Sequence, residues 1–226
     1  MNKLILFDID KTLISGNKAH EMAFSEAFRT VYGVDTNINV INHHGMTDKQ
    51  IIIEVLKKSG LNQDFIVSKL DECTKVMVEY FKKNIGTGGI FLYEGVKDLL
   101  ELLNKNNILM GLVTGNLEDI ARGKLKIADI NDYFKIGGFG SDSMRRTDLI
   151  KLAIKKAEKK IGSLENDNVF LFGDTPRDIK AGQEAGVKTV GVATGIYSEE
   201  QLRDAGADFV LENLKDAKKV LEIIEK

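Results

Sequence analysis

The feature that most constrains this chain is a recurring alternation. Short apolar runs rich in Leu, Ile, Val and Phe are each followed by a stretch of helical period. The runs lie at 3–9, 108–113, 169–172 and 188–192, with a weaker one at 209–211. Runs so short and so continuously apolar suit strands buried on both faces. Helical patterns occupy 95–104, 117–127, 147–160 and 178–185, and a last one at 214–224 puts Leu214, Ala217, Leu221 and Ile224 on one side. Ser198 and Gln201 frame a capping box, so another helix begins there. Strand and helix in turn specify an α/β fold with a parallel sheet covered on both faces.

Residues 17–85 break the rhythm. Met22, Ala23, Ala27, Phe28 and Val31 keep a helical period, and Thr47–Gln50 forms a second capping box ahead of Ile51, Ile52, Val55 and Leu56. A third stripe runs from Phe65 through Leu70, Cys73 and Met77 to Phe81. An all-helical domain at 17–85 is therefore expected, inserted into an α/β domain of 1–16 and 86–226. Re-entry falls near the glycines at 86, 88 and 89. A chain of 226 residues suits one domain carrying such an insert.

Charge and cysteine content exclude some function classes. Thirty-two basic side chains face thirty-four acidic ones, so no positive field gathers nucleic acid or anionic lipid. Cys73 is the single cysteine, which rules out an internal disulfide and sits with a cytoplasmic location. The apolar run before Asp8 is too short for a signal-peptide core, and no run is long enough to span a membrane. No motif specifies an oligomeric state.

In an open parallel sheet, ligands bind beyond the carboxyl ends of the strands. Asp8 and Asp10 follow the first run, Thr114, Gly115 and Asn116 the second, and Gly173, Asp174 and Thr175 a later one, with Asp178 a helical turn on. Separately these are turn and cap residues. Brought to one crevice, the carboxylates would repel one another and raise each other's pKa. A divalent cation relieves that repulsion, and an all-oxygen donor set suits Mg2+. The turn after Thr114 opens a helix, whose N–H groups and dipole favour a phosphoryl group. A cation for its remaining oxygens is available from Arg145, Arg146 or Lys124.

These residues resemble the haloacid dehalogenase-type hydrolase superfamily, in the branch similar to phosphoglycolate phosphatases. Asp8-Ile9-Asp10-Lys11-Thr12-Leu13 resembles its first motif, D-x-D-x-T-L, and Leu112-Val113-Thr114-Gly115-Asn116 its second. Gly173-Asp174-Thr175-Pro176-Arg177-Asp178 resembles its fourth, G-D-x-x-x-D. The resemblance implies a Rossmann-like core with an inserted helical cap, and a phosphatase acting on a small phosphorylated metabolite. It implies that Asp8 is the nucleophile and Asp10 the acid and base. It implies that Asp8, the Asp10 carbonyl, Asp174 and Asp178 serve Mg2+, and that Thr114, with Gly115, Asn116 and Arg146, binds phosphate. Thr47 and Asp48 lie in a loop resembling a cap loop that meets the substrate. A phosphomutase of the β-phosphoglucomutase type and a non-catalytic phosphate-responsive binding protein remain alternatives. Histidines at 20, 43 and 44 are expected to be polar helix or loop positions.

Overall fold

The computed structural model describes residues 2–16, 18–87 and 89–225. Asn17, which begins the expected helical segment, and Gly88, one of the glycines where the chain was expected to re-enter the other domain, lie outside the described residues. The chain begins with β1 (Leu4–Phe7) and β2 (Ile14–Ser15), then runs through α1 (Lys18–Tyr32), α2 (Asp48–Lys58), α3 (Gln63–Ser68) and α4 (Leu70–Asn84). A short β3 (Phe91–Leu92) pairs antiparallel with β2 and returns the chain to the sheet. Next come α5 (Val96–Lys105), β4 (Leu109–Thr114), α6 (Glu118–Ile127), β5 (Ile136–Phe139) and α7 (Arg146–Ile161). The remainder is β6 (Val169–Gly173), α8 (Pro176–Ala185), β7 (Lys188–Val192), α9 (Glu199–Asp204), β8 (Phe209–Leu211) and α10 (Ala217–Glu225).

Six strands form one parallel sheet in the order β5-β4-β1-β6-β7-β8. The chain fills one side of β1 first and then crosses to the other, so the order reverses at β1. A crevice at the carboxyl ends is the consequence. Phe7 is level with Leu112 of β4 and with Phe172 of β6, which puts Asp8 beside the ends of both neighbours.

Each face of the sheet has its own core, sorted by the two-residue period of a strand. Ile5 and Phe7 pack with Leu99, Leu103, Leu125 and Val220 on one face; Leu4 and Leu6 pack with Leu149, Ile150 and Ala153 on the other. The helices α1, α2 and α4 bury a third cluster, including Phe24, Phe28, Leu56, Cys73 and Phe81, which Leu117 and, from α6, Ile120 complete. No helix among the described residues is long and apolar enough to cross a membrane.

The short strands β2 and β3 were not among the expected runs, and two further elements differ from the expectation. The last helix starts at Ala217 rather than at 214, although Leu214 is buried just ahead of it. The strand β5 was not anticipated, because its Gly137 and Gly138 lack the β-branched or aromatic side chains that mark strands. Packing explains the glycine: a Cβ on Gly138 would collide with the backbone of Leu149 in α7. Only a bare backbone lets that helix lie so close.

Candidate active site

Local sequence delivers three carboxylates to the crevice. The amide of Asp8 donates to the Phe172 carbonyl at 2.9 Å, carrying the β1–β6 ladder one residue past the strand. Asp174 immediately follows β6. Asp178 is fixed by the start of α8, where Thr175 caps the helix and Pro176 opens it. The Thr175 amide and hydroxyl donate to Asp178 Oδ2 at 3.1 and 2.7 Å. Oxygens of Asp8, Asp174 and Asp178, all buried, lie within 4.8 Å of one another.

One guanidinium answers them. Arg146 begins α7 and turns inward, with Nη2 2.7 Å from Asp8 Oδ1 and 2.6 Å from Asp178 Oδ1. The second contact is an ion pair without hydrogen-bond geometry, so Asp178 Oδ1 has no hydrogen-bond partner among the described residues, and Arg146 Nε has none either. Arg145, one residue earlier, is exposed. Of the three cations the sequence offered, Arg146 is therefore the one in contact with Asp8 and Asp178.

Lys124 has a different destination. It is wholly buried, and its ammonium donates to Asp10 Oδ1 and Oδ2 at 2.8 and 2.7 Å and to Asn116 Oδ1 at 2.7 Å. Asn116 Nδ2 in turn donates to Asp10 Oδ2 at 2.8 Å and to Thr114 Oγ1 at 3.0 Å. The two aspartates of the first motif thus sit in opposite electrostatic settings. Burial raises Asp8 to about 7, with Arg146 opposing and Asp178 and Asp10 adding to the rise. Burial raises Asp174 to about 9, reinforced by Asp178 and Asp8. Burial would lift Asp10 too, but the Lys124 ammonium beside it outweighs burial and holds that carboxyl below the ordinary range.

The donor set fits a hard divalent cation. Three carboxylates converge against one guanidinium, and Asp178 keeps an oxygen without a hydrogen bond. Two of the three carboxyls are pushed toward the neutral form in the absence of further positive charge. Oxygen-only ligation of this kind suits Mg2+, Mn2+ or Ca2+ rather than a softer metal.

The family model for haloacid dehalogenase-like hydrolases matches residues 5–192, a span that includes every residue of the site described above. The chain belongs to the haloacid dehalogenase-like hydrolase family. It is 26% identical to pyrophosphatase PpaX of Oceanobacillus iheyensis over 95% of this chain and 94% of that protein. It is also 26% identical to a phosphoglycolate phosphatase of Aquifex aeolicus, over 97% of both. Among solved structures, a hydrolase from Pseudomonas syringae superposes with a TM-score of 0.73 at 23% identity, over 99% of both chains. CbbY from Rhodobacter sphaeroides, in complex with phosphate, superposes with a TM-score of 0.74 at 19% identity over 96% of both, a likeness of fold.

In this haloacid dehalogenase-like chain, a cavity of about 320 Å3 lies between the strand ends and the helices. Asp8, Asp10, Gly115, Asn116, Arg146 and Asp174 line the sheet side. Thr114 lies beneath, fully buried, with its hydroxyl accepting from the Asn116 amide at 3.3 Å. The helical side presents Phe24, Ile38, His43, His44 and Ile51. His43 and His44 stack with ring centroids 4.7 Å apart, and His43 Nδ1 is buried with no hydrogen-bond partner among the described residues. Burial, then His43, Lys11 and Arg177, lower the pKa of His44.

The loop at Thr47 and Asp48 meets the sheet domain directly. Thr47 is buried as the cap of α2, receiving the Gln50 amide at 3.4 Å, and it does not line the cavity. Asp48 borders the cavity, and its amide donates to the Gly115 carbonyl at 2.8 Å. A Cβ on Gly115 would strike the Met46 carbonyl, so glycine there permits the approach. His20 is the residue the sequence reading missed. It is 4% exposed rather than a polar surface position, wedged between Lys124 and Asp48. Its only sequence signal was a histidine beside Ala19 and Ala23 on the apolar side of α1.

Proposed function

We propose that this protein is a Mg2+-dependent phosphatase that transfers the phosphoryl group of a small phosphate monoester to Asp8 and then to water. The observation that carries the reading is the meeting of Asp8, Asp174 and Asp178 with Arg146 at the carboxyl end of β1. Relatives named phosphoglycolate phosphatase and pyrophosphatase support a phosphorylated substrate.

Asp8, Asp174 and Asp178 would hold the Mg2+, with the Asp10 carbonyl completing the protein's share. Its double charge would keep the Asp8 carboxylate ionised and neutralise phosphoryl oxygens. Asp8 attacks phosphorus in line and the ester bond breaks, while Asp10, ionised beside Lys124, takes up the proton carried in by the phosphate monoanion and passes it to the departing oxygen. Asp10 then takes a proton from the water that opens the aspartyl-phosphate, which regenerates Asp8 and releases phosphate. Arg146 and the N–H groups of Gly115 and Asn116 receive the phosphoryl oxygens. The Thr114 hydroxyl, already accepting from Asn116, has its own hydrogen left to donate.

The helices of 17–85 serve as a cap over the cavity, where the His43–His44 pair and the apolar wall of Phe24, Ile38 and Ile51 meet the rest of the substrate. Turnover of p-nitrophenyl phosphate with Mg2+, with EDTA, and in an Asp8→Asn variant tests the reading. Activity only in the wild type with metal is expected; metal-independent turnover, or an active variant, overturns it.

A further inference from the structure

Lys124 occupies no place in that mechanism, yet it is a fully buried ammonium in direct contact with Asp10. Its three protons are all accounted for, by the Asp10 carboxylate, by Asn116 Oδ1 at 2.7 Å and by His20 Nδ1 at 3.0 Å. Because the ammonium can only donate, His20 Nδ1 is the accepting nitrogen. With Nδ1 accepting, the N–H of the ring is on Nε2, which faces Asp48 Oδ2 at 3.1 Å. Asp48 Oδ2 also accepts the Leu117 amide at 2.8 Å. The result is a buried chain, Asp48–His20–Lys124–Asp10, that starts in the inserted helices and ends at the acid–base residue. The Asp10 side chain keeps 24% exposure, so the clamp leaves one flank of its carboxylate open to the cavity.

We propose that Lys124 is a positioning residue, oriented by His20, which holds the Asp10 carboxylate where it meets the leaving oxygen. A histidine from the helical insert thereby helps set the acid–base group of the sheet domain. The role rests on the proposed acid–base use of Asp10.

The test compares kcat/KM for p-nitrophenyl phosphate, whose leaving group departs without protonation, with that for a simple alkyl phosphate, whose leaving group needs it. Misplacing Asp10 should remove the assistance general acid catalysis gives, about 10²–10⁴-fold. Lys124→Met is expected to lose on the order of 10²-fold or more on the alkyl ester and less than about tenfold on the nitrophenyl ester. His20→Ala should shift the same ratio in the same direction, whereas His20→Asn, whose amide oxygen can replace Nδ1, should restore it. The histidine variants carry the test if Lys124→Met fails to fold. Equal losses on both esters, or no difference between His20→Asn and His20→Ala, overturn the role. An Asp8→Asn control reads the underlying mechanism: activity retained there overturns that mechanism and this role together. Activity abolished there, alongside equal losses in the Lys124 and His20 variants, overturns this role alone.

Discussion

Asp48, at the start of α2, accepts the backbone N–H of Leu117 at 2.8 Å, the residue that leads into α6. The bond does two jobs. It satisfies an orphan donor at a helix start, as an N-cap side chain would, but from 69 residues away. It also ties α2 to the start of α6 beside the cavity. Asp48→Ala leaves both the Leu117 amide and the His20 ring without their acceptor in a buried setting, at a cost of about 1–3 kcal/mol. Chemical denaturation of the two proteins should show that loss as a lower midpoint. An unchanged midpoint would mean that water replaces the carboxylate at no cost.

Arg146 separates Asp8 from Asp178 electrostatically, and its removal should be felt differently at different pH. Breaking a buried pair from one side costs about 3–5 kcal/mol because the abandoned charge stays buried. Here the abandoned charges can be neutralised, since Asp8 titrates at about 7 and Asp174 at about 9 even with Arg146 present. Arg146→Met should therefore lose most of that amount at pH 8 and far less at pH 5. Arg146→Lys should recover only part, because one point charge cannot reproduce a planar fork between two carboxylates. Parallel unfolding curves at the two pH values check both expectations.

The strand ends were readable because buried strands are apolar by necessity and their polar successors stand out. That is how Asp8, Thr114 and Asp174 were found, each at the edge of a run. Two neighbouring arginines could not be told apart in the same way. Which one turns inward depends on where α7 begins, and element boundaries are weakly marked in sequence. His20 was illegible for a stronger reason: its burial depends on Lys124, 104 residues further along, and no local pattern records that pairing. The β5 strand failed for the opposite cause, its Gly138 required by the approach of Leu149 and not by strand preference.

Lys11 is held at φ 67, in a left-handed conformation that glycine adopts more easily. Its amide closes the turn on the Ile14 carbonyl at 2.9 Å, so the geometry is imposed by the loop after the first motif. Relief of about 1–2 kcal/mol of steric cost, less the entropy a glycine loses on folding, leaves Lys11→Gly more stable by about 0.5–1 kcal/mol. The Lys11 side chain also borders the cavity. A stabilised variant with a raised KM would show that strain is retained there for the sake of the charge. Reduced stability would show instead that contacts of the lysine outweigh the backbone cost.

The raised carboxyls make stability depend on pH in a direction that metal should reverse. Asp8 and Asp174 move from an ordinary 3.8 to about 7 and about 9, so the folded protein without metal binds more protons than the unfolded chain between those limits. Stability from this source is complete below about pH 4 and is lost as pH rises through 7 and then 9. Asp10 acts oppositely but only in acid, because its depressed pKa places its loss below the ordinary carboxyl range. Thermal unfolding in EDTA should therefore give a Tm that falls between pH 5.5 and pH 8.5 (about the window in which these two groups ionise). Saturating Mg2+ binds the ionised carboxylates of the folded state alone, so it should raise Tm most at the alkaline end and flatten the slope. Asp174→Asn removes one of the two titrations and most of the metal's grip. Its EDTA curve should be flatter than that of the wild type, and added Mg2+ should move it little. A Tm in EDTA that rises across this range would contradict the crowding of carboxylates from which the proposed chemistry is built.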